Sequence, residues 1–230
     1  MARRKSRLHP HYGAGVKLRP PMKIFGAFPR LRLKPGLMLR AYVYEEGGNG
    51  NGVVWAMPEN LPFPQPFTAG TEQAQELPTP FGWPHFLGHP PIIPGCLPDL
   101  MTALLGDGSP ESYLEASVFV RETGEFGAQW HGCNWSTHSI VGNDSWNIPG
   151  PEHAVDQIPS LNSWKWLASP PEVWDPTVTE DGDSVIVRFV TYTGLGRERL
   201  CLHGDTYRRY NYECQHNTEN LAIGSGGYIF

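Results

Sequence analysis

The residues best equipped for chemistry crowd into Glu125–His138, EFGAQWHGCNWSTH, a stretch with two Trp, two His, one Cys and one Ser. His131, Cys133 and His138 supply the mixed nitrogen and sulfur donors that zinc accepts well. The same Cys133, with His131 or His138 as base, has the residue types of a thiol nucleophile, and Ser136, His138 and Asp144 have those of a hydroxyl one. No diagnostic pattern surrounds either set. Two further pairs, Cys201-Leu-His203 and Cys214-Gln-His216, repeat the Cys/His combination at i, i+2. In an extended chain those positions share a face, so each pair offers two donors to one point. Against a metal stand the absence of CxxC and HExxH spacings, and the placement of His85 and His89 among prolines. A strand cysteine is more often a small buried hydrophobe.

Six of the eight tryptophans lie between 130 and 174, interleaved with Asn134, Asn143, Asp144, Asn147 and Asn162. Trp130, Trp135, Trp164 and Trp166 are the candidates for an aromatic contact or a stacked flat ligand such as a sugar. The competing role is core packing beneath long irregular segments. Glu122 with Glu125 reads as a solvated helix turn, and Asp181 with Asp183 as a solvated loop, rather than as catalytic carboxylate pairs.

The elements that must position these groups follow from composition. Gly and Pro supply 49 of 230 residues and charged residues only 18%, which points to turns and strands instead of a helical bundle. Residues 1–40 carry eleven Lys/Arg and no acid, while the remainder carries seven basic against twenty-three acidic residues. That places +11 on residues 1–40 and −16 on the rest of the chain. The arm, residues 1–35, presents Arg3, Arg4, Lys5, Arg7, Lys17, Arg19 and Lys23 to an acidic partner or to the body itself. Nucleic acid or anionic lipid is the other surface such an arm fits. No run approaches eighteen apolar residues and the basic start lacks an apolar core, so neither a transmembrane segment nor a secretory signal is expected. Four scattered cysteines in a chain of this length fit reduced thiols and a cytoplasmic location.

Residues 36–230 are expected to form one α+β domain: a twisted antiparallel sheet joining an N-terminal hairpin and a C-terminal meander, with one main helix. The hairpin strands are Leu37–Glu45 and Val53–Met57 around GGNGNG. Eleven prolines between 58 and 98 predict an irregular strap. LPDLMTALLG reads as a short helical run ended by Gly106. Ser109-Pro110-Glu111 starts the main helix, ending near Thr123 or running on to Trp130, with His131-Gly132 as its stop. The meander is expected as Ser184–Thr193, Arg199–His203, Thr206–Cys214, Leu221–Gly224 and Tyr228–Phe230, with TEDGD, GLGR, HGD, NTEN and GSGG as connectors.

The function these features suggest is that of a non-enzymatic component of a protein complex or homo-oligomer, docked through the basic arm and the Pro-rich strap. The alternatives are a zinc enzyme or metal protein centred on residues 130–138, and a carbohydrate or small-ligand binder built on the Trp region. No resident cofactor is expected unless zinc is bound.

Overall fold

The computed structural model describes residues 17–19, 21–46, 49–61, 95–129, 133–142, 152–153 and 164–229. In chain order the strands are β1 Lys17–Arg19, β2 Leu31–Leu33, β3 Leu37–Glu46, β4 Asn49–Pro58, β5 Leu104–Gly106, β6 His138–Val141, β7 Glu152–His153, β8 Lys165–Trp166, β9 Thr177–Asp181, β10 Ser184–Thr193, β11 Arg199–Arg208 and β12 Cys214–Ile223. The single α-helix among the described residues, α1, spans Pro110–Gly124. Antiparallel sheet with one helix is the α+β composition expected. The chain separates into two compact units, one of Met1–Gly26, Leu33–Leu104 and Val120–Ser136, the other of Ala27–Arg32, Leu105–Phe119 and Thr137–Phe230.

In the first unit β3 and β4 form the expected hairpin, in register from Leu37↔Pro58 to Glu46↔Asn49, and β1 pairs with the far edge of β3. Only residues 47–48 separate the strands, because an antiparallel hairpin needs no more than two loop residues. The rest of GGNGNG is therefore strand. Leu39, Ala41, Ala56 and Met57 are fully buried, and Phe126 packs on Ala41 and Val54. The run LPDLMTALLG divides into a 3-10 turn, Leu100–Ala103, and β5, instead of forming a helix. Asp99 caps the turn by accepting the N–H of Met101 at 2.9 Å.

In the second unit the sheet order is β7-β6-β10-β11-β12-β8, with β9 also pairing β10. The hairpin β3–β4 does not join it, contrary to the single sheet expected. The hairpin pairs instead with β1, and the meander with β6, β7, β8 and β9. Three further expectations change. The HGD connector is interior to β11 and the NTEN connector is interior to β12, so the reversal falls at residues 209–213. Residues 179–181 of the TEDGD connector are the end of β9, and residues 138–141, for which no element is expected, form β6. Two residues, Gly182 and Asp183, turn β9 into β10, with Gly182 at φ 59° in the left-handed region that glycine enters without strain.

Both faces of this sheet are buried over part of its area. Val141, Trp164, Val190, Leu200, Leu221 and Ala222 form a core on one face. A bulge between Leu200 and Cys201 leaves Leu221 as the extra residue of β12 and keeps Ala222 opposite Leu200. The opposite face carries Val185, Val187, Phe189, Thr191, Cys201, His203, Asp205 and Tyr207, all buried. There Tyr207 receives the α1 residues Tyr113, at 5.4 Å between ring centroids, and Ser117, whose hydroxyl is 2.8 Å from the Tyr207 hydroxyl.

The helix start agrees with the expected cap. Ser109 Oγ accepts the N–H of Ser112 at 3.3 Å, and Asp107 in turn accepts from the Ser109 N–H and hydroxyl. The strand expected at Tyr228–Phe230 is not formed among the described residues: Tyr228 makes an isolated parallel bridge to Leu195, its N–H donating to Gly194 O at 2.8 Å. Removing side-chain volume at fully buried Leu200 should cost about 2–5 kcal/mol in Leu200→Ala, whereas exposed Val173→Ala should stay within about 0.5 kcal/mol. Urea unfolding of the two variants checks the assignment of core and surface.

Candidate functional site

α1 ends at Gly124, so Glu125 begins the turn and His131-Gly132 do not stop the helix. The structure then uses the Glu125 carboxylate as a cap. It accepts backbone N–H groups from Asn134 at 2.8 Å, Ser136 at 2.9 Å and Trp135, the free donors at the start of the 3-10 turn Trp135–Thr137. Glu122 lies beside it, accepting from Trp135 Nε1 at 3.1 Å, and the Arg121 guanidinium sits 5.6 Å from the centre of that indole. Neither carboxylate belongs to a solvated turn. Burial pushes Glu122 up to about 7, the indole hydrogen bond opposing and the Glu125 charge adding. Burial also raises Glu125, and its backbone donors do not overcome that.

Cys133 is half-buried, and burial pushes its thiol up while a hydrogen bond from Ser136 pulls it down and the Glu125 charge raises it again. A thiol held protonated beside a carboxylate is poorly suited to nucleophilic attack. His138 is committed elsewhere. In β6 it faces β10, with Nδ1 2.8 Å from Thr191 Oγ1, which is itself 2.8 Å from His203 Nε2; His203 Nδ1 is 3.0 Å from Thr218 Oγ1. His203 also stacks on Phe189 with centroids 4.7 Å apart. The Cys201-Leu-His203 pair shares one face, as i, i+2 spacing requires, yet Cys201 donates to Asn220 Oδ1 at 3.5 Å. These polar groups satisfy one another across four adjacent strands, which is what burial demands of them.

The third Cys/His pair meets a different environment. Opposite His216 in the β11–β12 ladder stands Asp205, and opposite Cys214 stands Tyr207. Asp205 is fully buried, Cys214 half-buried and His216 exposed. The His216 Nδ1 atom lies 3.1 Å from Cys214 Sγ and 3.3 Å from Asp205 Oδ1, and the three ligand atoms all fall within 4.8 Å of one another. One imidazole nitrogen cannot accept a thiol proton and donate to a carboxylate at once. A cation placed between the three atoms would satisfy all of them. Zinc bonds of about 2.0–2.3 Å at a tetrahedral angle set neighbouring ligands about 3.3–3.8 Å apart. The two measured separations fall within about half an ångström of that edge. The Tyr207 hydroxyl, bound to Ser117 at 2.8 Å, also hydrogen-bonds Cys214.

Of the other candidates, Arg3, Arg4, Lys5, Arg7, Trp130 and His131 lie outside the described residues, as does most of the Pro-rich strap. Lys17 and Arg19 belong to β1 and Lys23 to the 3-10 helix Pro21–Ala27. Trp135 opens the 3-10 turn described above. Trp164 is buried, its ring 6.1 Å from that of Tyr192, and half-buried Trp166 meets Trp174 edge-on at 6.3 Å. Asp205 was hidden in the sequence by its neighbours: HGD looks like a turn, and only the pairing with Cys214-Gln-His216 carries its carboxylate inward. The chain matches no protein-family model, no curated protein and no solved structure.

Glu122 has a pH consequence with a definite sign. Its folded value, about 7, lies above the ordinary 4.5, so its contribution to stability is complete at low pH and declines as pH rises from about 4.5 to about 7, where the unfolded chain ionises first. Glu122→Gln keeps the acceptor for Trp135 and removes the proton. Denaturant titrations at pH 4.5 and 7.5 should give a smaller loss of stability between the two pH values in the variant than in the parent.

Proposed function

We propose that this protein binds a divalent transition metal of the zinc class through Asp205, Cys214 and His216. The observation that carries the reading is the convergence of a carboxylate, a thiol and an imidazole from two paired strands within 4.8 Å. Each ligand type argues for the same ion. A thiolate disfavours magnesium and calcium, whereas nitrogen, sulfur and oxygen together suit zinc. The fully buried Asp205 supplies negative charge where a cation would otherwise cost desolvation. Three protein ligands leave a fourth position for water or a bound group, the arrangement found where zinc is chemically active. Tyr207 would donate to the Cys214 sulfur from behind and Ser117 would orient Tyr207, so the ligands are held from outside the first layer.

Protein exposed to zinc and then passed through a desalting column should retain one equivalent by elemental analysis. His216→Ala and Asp205→Asn should each weaken the site by at least about tenfold, or 1.4 kcal/mol. Cys201→Ser should bind as the parent does. Retention of no zinc by the parent, or equal retention by all variants, would overturn the reading.

A second reading rests on charge. The eleven basic residues of the first forty, against the net −16 of the remainder, support docking of a soluble, cytoplasmic assembly component on an acidic protein surface through Arg3, Arg4, Lys5, Arg7, Lys17, Arg19 and Lys23. The metal site would then hold the sheet and the arm would recruit. Deleting residues 1–16, which leaves β1 and its pairing with β3 in place, should abolish co-purification of partners at low salt while leaving the thermal unfolding midpoint unchanged; identical partner sets for both proteins would exclude the arm as the contact.

A further inference from the structure

We infer that the Asp205–Cys214–His216 site is a peroxide-sensitive metal switch, in which oxidation of Cys214 by a hydroperoxide releases the ion. This inference rests on the metal-binding reading above. Cys214 supplies the only sulfur of the three, so a change at one atom removes one ligand in three. The approach is asymmetric. Asp205 and Tyr207 are buried on the inner side, while the His216 side chain is 38% exposed and Cys214 half-buried, which opens the sulfur to small solutes from the β12 side. Of the four cysteines, all free, Cys201 is the other one in this sheet. It sits opposite Asn220, three two-residue steps from the Tyr207–Cys214 rung, or about 20 Å along the strands. An internal disulfide between the two is ruled out by that distance.

The chemistry balances without any group beyond the oxidant. The Cys214 thiolate attacks one oxygen of hydrogen peroxide; the S–O bond forms as the O–O bond breaks, giving a sulfenic acid and hydroxide, which takes a proton from water or buffer. Sulfur loses two electrons and the peroxide gains them. A sulfenic acid is a much weaker ligand than a thiolate, leaving Asp205 and His216 to hold the ion alone. A small thiol reverses the step in two exchanges. The first gives a mixed disulfide and water, the second the free Cys214 thiol and the small-molecule disulfide.

Full-length protein loaded with zinc and treated with hydrogen peroxide in the presence of a chromogenic chelator tests this. One equivalent of zinc should appear at a rate proportional to peroxide, and the protein should rebind zinc after reduction by a small thiol. Cys214→Asp keeps three ligands without sulfur and should retain its zinc, whereas Cys201→Ser and Cys133→Ser should release it as the parent does. Zinc that stays bound in the oxidised parent, or leaves Cys214→Asp equally fast, would overturn the switch. If Cys214→Asp holds no zinc, trapping with a cyclic 1,3-diketone decides: labelling of Cys214 in step with zinc release supports the switch, and release without that label overturns it. A parent that binds no zinc before oxidation overturns the metal reading itself.

Discussion

The register of β11 against β12 is the constraint on which the chemistry of this chain depends. Because opposite residues of an antiparallel pair share a face, setting Tyr207 against Cys214 also sets Asp205 against His216 and His203 against Thr218. A shift of one residue would turn Cys214 and His216 to the other side of the sheet and set Gln215 or Asn217 opposite Asp205 instead. The bulge at Leu200/Cys201 absorbs the parity change the far end needs. It lets the same strand bury Ala222 on one face and aim Asn220 at Cys201 on the other.

That face of the sheet is unusual in being buried and polar together. Thr191, His203 and Asp205 lie within 3% of complete burial, a location where an unmade hydrogen bond costs about 1–3 kcal/mol each. The cost is avoided by continuity: β6, β10, β11 and β12 each supply a partner to the next, from His138 through Thr191 and His203 to Thr218. Asp205 differs from these neighbours. Its carboxylate faces the exposed imidazole of His216 across the β11–β12 ladder, with Nδ1 at 3.3 Å.

The stretch EFGAQWHGCNWSTH illustrates the opposite outcome. Its chemically rich residue types are used to turn the chain, with Glu125 closing the donors of the 3-10 turn and Glu122 holding the indole of Trp135. Among the described residues of this stretch, the Glu125 carboxylate is engaged by backbone donors and His138 faces Thr191 of β10, while His131 lies outside them. Proximity along the chain measures little when donors must point to one place.

Much of the architecture was legible. Ser109-Pro110-Glu111 marked the start of α1, alternating apolar residues marked β10 from Ser184 to Thr193, and Gly182 marked its turn, because caps, period-two burial and positive φ are local properties. The i, i+2 spacing of Cys201 with His203 and of Cys214 with His216 likewise told that the members of each pair share a face. Which pair acquires a carboxylate neighbour is not local. HGD has turn composition and NTEN lacks apolar residues, so neither reads as strand, yet both become strand once β10 and β11 offer them complete ladders. The amino-acid order by itself determined the donors and their spacing. Tertiary pairing alone brought Asp205 to Cys214 and His216, since a carboxylate nine residues from the nearer of them can reach only across a strand.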